Sequence, residues 1–239
     1  MSTPSSAKRV ILEATQIDEL HSFLRAENVE VPGRASGRTR DHVEIYSIVR
    51  LLATRPYTLA DFPLRLLKQE RPDFVLTLNG NEVGIEHTEA ISQNDAKEAA
   101  LRDAGIGPDM HYVKPASLTE PPKSSKQLKA EIEADEMGPG WCGDSVERGW
   151  AEAMEHFVQK KMDSVQRPGY LRLARNWLVI YDQWPAPILK LSSALPHLRR
   201  RLDALSSWTV FDRIFMLDES ALIELDATST WLYCVNHCS

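Results

Sequence analysis

One hairpin pattern restricts the fold of this chain more than any other feature of its sequence. Two short apolar runs, residues 74–78 and 83–85, flank the segment Asn79-Gly80-Asn81. An Asn-Gly pair between two apolar runs is the strongest short-range signal for a β-hairpin, since both residues tolerate the positive φ angles of a tight turn. The sequence therefore predicts two antiparallel strands joined by this turn.

Two of the acidic residues in this segment lie where a buried strand pair is not expected to carry any. Asp73 comes at the start of the first strand, directly after Pro72, and Glu86 lies within the second. Because strand side chains alternate between two faces, Glu86 shares a face with Gly84, and His87 lies on the other. Buried carboxylates cost several kcal/mol unless they are paired or bound to a cation. A hairpin that places Asp73 beside Glu86 therefore predicts a metal site.

Length, composition and charge limit the class of protein. The chain has 239 residues, which suits one large domain or two small ones. It is 43% hydrophobic and 26% charged and has no low-complexity tract, as expected of a folded soluble protein. The formal net charge of −6 argues against a general nucleic-acid coat protein. A nuclease stays compatible with that charge, because metal-binding acids add negative charge while local basic patches contact phosphate.

Three features predict a cytoplasmic protein with no membrane partner. No apolar run approaches the roughly 20 residues that a transmembrane helix needs. The N-terminal sequence lacks the apolar core of a secretory signal. The chain has three cysteines, too few for a disulfide framework at this length, which favours a reducing compartment.

The sequence divides the chain into an N-terminal segment and a main domain. Residues 1–40 are predicted to form a helical extension, helical over residues 10–24, followed by a basic linker rich in Gly and Arg. Residues 41–239 form the main domain, with a helical insertion at 91–143 that has few large apolar side chains. We expect this insertion to lie on the surface or to form a mobile flap. Residues 57–69 are predicted to be an irregular or short helical connection.

The order of the other elements predicts an α/β fold with a mixed central sheet flanked by helices. Asp41 is expected to cap a helix over residues 42–55, and a long helix follows the insertion. Residues 176–182 are almost entirely apolar, as expected for a central strand buried on both faces. A helix within residues 188–205, broken near Pro196, and further short strands complete the pattern.

The motifs Arg-Pro-Asp73-Phe and Gly-Ile-Glu86-His-Thr, followed by the apolar strand at 176–182, resemble the PD-(D/E)xK nuclease superfamily, the restriction-endonuclease-like proteins. The resemblance covers residues 41–217. It implies a core of a helix, a three-stranded meander, a second helix and a further strand. It also implies that Asp73 and Glu86, here called the acidic pair, bind Mg²⁺ or Mn²⁺ beside the scissile phosphate. Glu44 on the first helix would complete the metal-binding cluster.

The chain departs from this family at one position. The family places a lysine two residues after the second acid, where it helps to activate the attacking water, but this chain has Thr88 there. Lys161 is a candidate replacement, because it lies three residues after Val158 and four after Phe157 on the apolar stripe of the long helix. An inward lysine without a carboxylate partner is expensive, so we expect its amine to reach the acidic pair. The alternative is that Lys161 runs along the helix flank to solvent.

Together these features predict a Mg²⁺- or Mn²⁺-dependent DNA endonuclease of prokaryotic type, with Asp73, Glu86 and Lys161 as its catalytic residues. The sequence does not separate DNA from RNA as the substrate, and a homodimer stays open. A rival of a different class is a catalytically inactive protein of the same fold that acts as a binding, immunity or scaffold partner. The threonine at position 88 and the acidic charge balance favour this rival.

Several residues near the predicted site have two interpretations each. Arg34, Arg38 and Arg40 either contact nucleic-acid phosphates or form a solvated basic loop. His87 is expected to be a partly buried structural residue, with metal ligation as the alternative. Glu89 is expected to cap the next helix or to face solvent.

A further pattern follows the long helix. Gln166 and Tyr170 match the Gln-x-x-x-Tyr motif of one branch of the superfamily. That motif normally lies on a helix, which Pro168-Gly169 interrupts in this chain. We therefore interpret the match as coincidental.

Overall fold

The computed structural model describes residues 8–27, 29–170 and 172–235, and it has an α/β fold built around one mixed sheet of eight strands. The strands lie side by side in the order of the sequence. They are β1 (Arg9–Ala14), β2 (Leu64–Lys68), β3 (Phe74–Leu78), β4 (Asn81–Ala90), β5 (Arg175–Asp182), β6 (Arg213–Leu217), β7 (Ala221–Leu225) and β8 (Thr230–Cys234).

Six α-helices occur in this described part of the chain, and they flank the sheet. They are α1 (Ile17–Ala26), α2 (Arg40–Thr54), α3 (Gln93–Asp103), α4 (Ser125–Ala134), α5 (Ser145–Val165) and α6 (Leu191–Ala204). None of these helices has both the length and the apolar content needed to cross a membrane.

The sheet changes direction across its width. β1 to β4 are antiparallel neighbours, β4 to β6 run parallel, and β7 and β8 are antiparallel again. Parallel neighbours need a long crossover connection, and the insertion with α5 supplies it between β4 and β5. After α2 the chain therefore runs through a three-stranded meander, β2 to β4, and then through crossover helices into β5.

Two apolar cores, one on each face of the sheet, hold the layers together. Side chains of β5 alternate between them. Trp177 and Val179 belong to the core that contains α2, while Leu178 and Ile180 belong to the core that contains α5 and α6. Because both faces of β5 are buried, its sequence is a continuous apolar run.

The N-terminal segment differs from the sequence prediction. Residues 10–24 are predicted to be helical, but Arg9–Ala14 is an edge strand and α1 begins only at Ile17. Leu12 and Ala14 are buried, and this part of the chain pairs with β2. The apolar run becomes a strand because β2, distant in sequence, offers it a free edge, which local periodicity cannot show.

The connection before the hairpin also differs. Residues 57–69 are predicted to be irregular or helical, but they contain β2 as well as a short 3-10 turn at Leu59–Asp61. Leu64 and Leu66 of β2 are buried, while the intervening Arg65 is exposed. This alternation is only five residues long, too short to distinguish from a helical turn in the sequence.

Two helix predictions need correction. α2 begins at Arg40 because Thr39, and not Asp41, caps it: the Thr39 hydroxyl accepts a backbone N–H of the first turn. α6 runs through Pro196 without the predicted break. A proline removes one backbone hydrogen bond from the helix, and burial of residues such as Leu198 offsets that loss.

The insertion at 91–143 is helical, as predicted, and contains α3 and α4. The side chain of Asn94 forms hydrogen bonds between α3 and the loop that precedes α4. Its side chain donates to Glu120 Oε2 at 2.7 Å and accepts the backbone N–H of Lys123 at 2.9 Å. These bonds hold α3 beside the carboxyl end of β4, next to the site described below.

Candidate active site

The predicted hairpin is present and brings the acidic pair together. β3 and β4 pair with Phe74 opposite Ile85, and both residues of the Asn-Gly turn have positive φ angles, 47° and 79°. This turn geometry matches the natural twist of a hairpin. The register then sets Asp73 opposite Glu86, with each residue almost fully buried at 4% and 6% exposure.

Lys161 of α5 lies between the two carboxylates. Its ammonium nitrogen is 3.2 Å from Asp73 Oδ2 and 2.7 Å from Glu86 Oε2. The Lys161 side chain is 15% exposed, whereas the neighbouring Lys160 is exposed on the outer face of the helix. The lysine therefore points inward, and the alternative in which it runs to solvent is not observed.

The Asp73 carboxylate has two further protein partners. Its Oδ2 accepts the backbone N–H of His87 at 2.8 Å, and its Oδ1 accepts Arg40 Nη2 at 2.7 Å. The Arg40 side chain is 71% exposed, so it reaches the buried carboxylate from the protein surface. The bond to the β4 backbone fixes the position of Asp73, and the guanidinium covers its outer side.

Glu86 accepts a second hydrogen bond from the hydroxyl of Tyr170. Burial and the charge of Asp73 raise the pKa of Glu86 above its usual range, while Lys161 and the Tyr170 hydroxyl act in the opposite direction. Burial and the bond to Glu86 also raise the pKa of Tyr170, so its phenol stays protonated and acts as the donor. Each carboxylate oxygen of the acidic pair thus accepts at least one protein donor.

Gly84 maintains the close packing of this site. A Cβ atom at this position would lie 3.1 Å from Pro72 Cγ and 3.2 Å from Asn176 Oδ1, closer than side chains normally approach. Since Pro72 directly precedes Asp73, a larger residue at position 84 would displace the acidic pair. The absence of a side chain at Gly84 therefore makes room for the Pro72 ring.

A cavity of about 230 Å³ opens beside the acidic pair, and Lys161 and Tyr170 also line it. Its rim carries further charges of both signs, from Arg40, Glu70, Arg71 and Arg167. The buried carboxylates are therefore accessible to a small ligand from outside. Cationic side chains near the opening favour an anionic one.

The acidic pair supplies carboxylate oxygens, the kind of ligand that a hard divalent cation takes. Mg²⁺ prefers oxygen ligands and commonly takes only one or two protein carboxylates, completing its shell with water and substrate phosphate. Within the described residues, no group of three or more His, Cys, Asp or Glu side chains is arranged to hold a metal ion. A metal site here therefore depends on the acidic pair alone, with the cavity leaving space for water and a phosphate.

Glu44 lies on α2 just after its first turn, and its carboxylate is held by cations. It is 4% exposed and accepts hydrogen bonds from Arg40 Nε and Lys68 Nζ. Arg40 in turn contacts Asp73, so a guanidinium separates Glu44 from the acidic pair. This arrangement favours a role in orienting Arg40 over direct binding of a metal.

The other two arginines singled out in the sequence lie close by. Arg34 and Arg38 both donate to Glu89 Oε1 at the end of β4, Arg38 at 2.5 Å. The sequence predicts that Glu89 caps the next helix or faces solvent, and both predictions are wrong. Ser92 caps α3 instead. The sequence gives no sign of this ion pair, because its partners are some 50 residues apart.

His87 has the structural position that the sequence favours. Its ring nitrogen Nε2 is 3.0 Å from the hydroxyl of Ser47 on α2, on the other face of β4 from Glu86. Burial, together with the positive charges of Lys161 and Arg40, lowers the pKa of His87 to about 3, so the ring is neutral. The side chain therefore links the sheet to α2.

The sequence interpretation misses Tyr170. The helix α5 does end at Val165, before the Pro168-Gly169 break. This break does not remove Tyr170 from the site, because the turn directs its hydroxyl toward Glu86. The useful signal is the Gln-x-x-x-Tyr match itself, at the end of the helix that carries Lys161.

Comparisons with known proteins give no further guide to this site. No family model matches the sequence, and no curated protein and no solved structure is significantly similar to it. Its function must therefore be inferred from the geometry of its own residues.

Proposed function

We propose that this protein is a metal-dependent phosphodiesterase that cuts DNA as an endonuclease. The observation that carries the proposal is the position of the Lys161 ammonium between Asp73 and Glu86, beside an open cavity. The two carboxylates and the lysine come from distant parts of the chain, and burying these three charged groups costs free energy. Such a cluster is typical of a reaction centre.

The element order supports the same proposal. The run of α2, the meander β2 to β4, α5 and β5 corresponds to the core that the PD-(D/E)xK resemblance implies. The acids lie on the meander, as in that family. Lys161 of α5 would replace the lysine expected at position 88, since its ammonium lies next to both carboxylates.

The proposed roles follow from the contacts of each side chain. Asp73 and Glu86 would hold Mg²⁺ or Mn²⁺, which when bound polarises the phosphodiester and promotes ionisation of the attacking water. Lys161 orients that water, or its positive charge neutralises charge that develops on the phosphate. Tyr170 holds the Glu86 carboxylate by its hydroxyl. Arg40, exposed and adjacent to Asp73, can donate to phosphate oxygens.

A binding protein of the same fold without catalysis is the second candidate. One observation favours it: all four oxygens of the acidic pair already accept protein hydrogen bonds. A cation must displace some of these donors, and Lys161 is the one whose ammonium contacts both carboxylates. If the ion pair with Lys161 is too stable to open, the site is a structural cluster and its surface serves a partner.

The experiment that separates these candidates is a cleavage assay with purified protein. Supercoiled DNA is expected to be nicked in the presence of Mg²⁺ or Mn²⁺ and to stay intact with EDTA. Asp73→Asn is expected to abolish nicking while circular dichroism shows an unchanged fold. Full activity in Asp73→Asn would refute the assigned site. A parallel assay on RNA decides the substrate, and a homodimer and a cytoplasmic location stay predictions.

A further inference from the structure

A second and larger cavity adjoins two side chains that contact the acidic pair. It has a volume of about 680 Å³ and occupies the space between α2, α3 and the carboxyl end of β4. Arg40 and Lys161, which both contact Asp73, form part of its wall. A ligand in this cavity would therefore be a direct neighbour of the phosphate that the acidic pair is proposed to cleave.

The walls of this cavity are strongly positive. Of the described residues that line it, five are cationic and one, Glu89, is acidic. The cationic residues are Arg34, Arg38, Arg40, Lys97 and Lys161. By contrast, a neighbouring cavity of about 600 Å³ around Lys68 has four basic and four acidic residues in its described wall. The larger cavity is therefore the one whose charge suits an anion.

Its arginines are held in place before any ligand binds. The side chains of Arg34 and Arg38 are only 16% and 12% exposed, and both are bound to Glu89. The guanidinium of Arg38 also lies 6.0 Å from the ring centre of Tyr181. An arginine has five N–H donors, so each retains donors for a phosphate after binding Glu89. Such fixed donors lower the entropy cost of binding.

The same cavity has an apolar side. Val43 of α2 and Ala96 and Ala100 of α3 contribute to its wall, so the insertion forms one of its boundaries. An apolar surface beside fixed cations matches a nucleotide, which has a flat base and a charged phosphate. A volume of this size is typical of a site for one small molecule. A cavity of this volume is too small to enclose a paired duplex.

We infer that this cavity binds one unpaired nucleotide of the substrate strand, next to the scissile phosphate. The enzyme would then act on single-stranded or locally unpaired DNA in preference to a continuous duplex. This inference rests on the proposed function for its choice of ligand. It goes beyond that function because it assigns a separate nucleotide site and a structural class of substrate.

Binding without metal tests the inference independently of cleavage. Fluorescence anisotropy in EDTA is expected to show at least tenfold tighter binding of a single-stranded oligonucleotide than of the fully paired duplex. Arg34→Gln combined with Arg38→Gln should weaken single-strand binding and make its log–log salt slope shallower by about 1.4, since each lost phosphate contact contributes about 0.7. The matched control replaces Arg25 and Arg148, which are exposed and lie outside the cavity.

A cavity-filling variant makes the test specific to this space. Ala96→Phe is expected to weaken single-strand binding about tenfold, by occupying the position of a base, and to leave duplex binding unchanged. Ala96 is only partly buried on α3, and a thermal melt verifies that the variant is folded. Arg34→Gln with Arg38→Gln reports on the same cavity through charge, so the two changes support each other.

The outcomes separate this inference from the proposed function. Equal binding of single strand and duplex, or equal losses in the cavity and control double variants, would overturn the nucleotide site. That result would leave metal-dependent cutting as it stands. Absence of cutting with tight, cavity-dependent binding of single strands would refute the phosphodiesterase and retain the site.

Discussion

Among the described residues, two of the clusters that bury a carboxylate beside a cation lie in different halves of the sheet. In the first, the acidic pair shares Lys161. In the second, Glu224 of β7 contacts Arg213 of β6 and lies 3.7 Å from Arg55 Nε. Glu224 is 1% exposed, so both clusters carry the free-energy cost of removing charges from water.

The clusters differ in what surrounds the charges. Glu224 also accepts the hydroxyl of Tyr233 at 3.3 Å and lines none of the cavities described above. Arg55 and Arg213 balance the negative charge of Glu224. The acidic pair instead faces open space and lies beside a strongly cationic cavity. Burial of charge alone therefore does not distinguish the two clusters; the accessible volume beside the acidic pair does.

Replacing one carboxylate by an amide in each cluster should separate the two roles most widely. Glu86→Gln is expected to lower cutting about 1,000-fold, or about 4 kcal/mol, because the site loses charge that holds the cation. Glu224→Gln is expected to lower the free energy of unfolding by about 3 kcal/mol, because Arg55 and Arg213 lose their counter-charge. Cleavage rates and urea unfolding, measured on the same samples, test both.

The distinction between the two clusters fails if Glu86→Gln lowers stability and Glu224→Gln lowers cutting. A Glu86→Gln variant that cuts normally but unfolds easily would make the first cluster structural. A Glu224→Gln variant that is stable but inactive would make the second one functional.

Asp182 offers a third case, because it is partly buried and has no ion-pair partner among the residues that the structure describes. Trp150 Nε1 donates to it at 2.6 Å, and burial raises the pKa of Asp182 from 3.8 to about 6. The folded pKa exceeds the unfolded one, so the contribution of Asp182 to stability is complete below about pH 4 and is lost as the pH rises through about 6. Relative to Asp182→Asn, the wild type should lose up to about 3 kcal/mol over this window.

Urea unfolding of both proteins at a series of pH values provides this measurement. Parallel stability curves for wild type and Asp182→Asn would show that the carboxyl ionises as easily in the fold as in the unfolded chain. Burial without a cation would then have no measurable cost at this position.

Adjacent lysines on α5 offer a matched pair of substitutions. Lys161→Ala is expected to lower the cleavage rate about 100-fold, since it removes the group proposed to orient water or to neutralise phosphate charge. Lys160→Ala changes the same net charge on the exposed face and should leave the rate within about twofold. Single-turnover kinetics with saturating protein measure the chemical step. Equal rates in the two variants would show that Lys161 takes no part in the chemical step.

Tyr170→Phe should have the smallest effect. It removes one hydrogen bond to Glu86 and leaves the ring in place, so we expect about a tenfold loss of cutting, near 1.4 kcal/mol. The stability of the fold should be almost unchanged, because the cavity lets water replace the hydroxyl. A cleavage rate equal to that of the wild type would show that this bond does not orient the reacting carboxylate.

The sequence predicts the hairpin and the central strand well because their signals are local. The Asn-Gly turn determines the register of β3 and β4, and hence the contact of Asp73 with Glu86. The apolar run of β5 follows from burial on both faces. β1 and β2 are not predicted, because both are short and become strands only by pairing. β1 pairs with β2, and β2 also pairs with β3 of the hairpin.

Within the site, the sequence predicts the direction of those side chains that lie on a regular element, because the periodicity of the element determines it. The helical spacing of the α5 stripe indicates that Lys161 points inward. Contacts that depend on loop paths are not predictable in this way. Tyr170 reaches Glu86 only because the chain turns back after α5, and Glu89 binds two arginines from a linker that has no periodicity.

Calorimetric titration of Mn²⁺ tests the difference between the two clusters most directly. The wild type and Glu224→Gln are expected to bind Mn²⁺ with the same affinity, while Asp73→Asn is expected to show no binding heat. Because Asp73→Asn preserves the size and shape of the side chain, its effect reports on charge rather than on packing. Unchanged Mn²⁺ binding in Asp73→Asn would contradict the assignment of the acidic pair as a metal site.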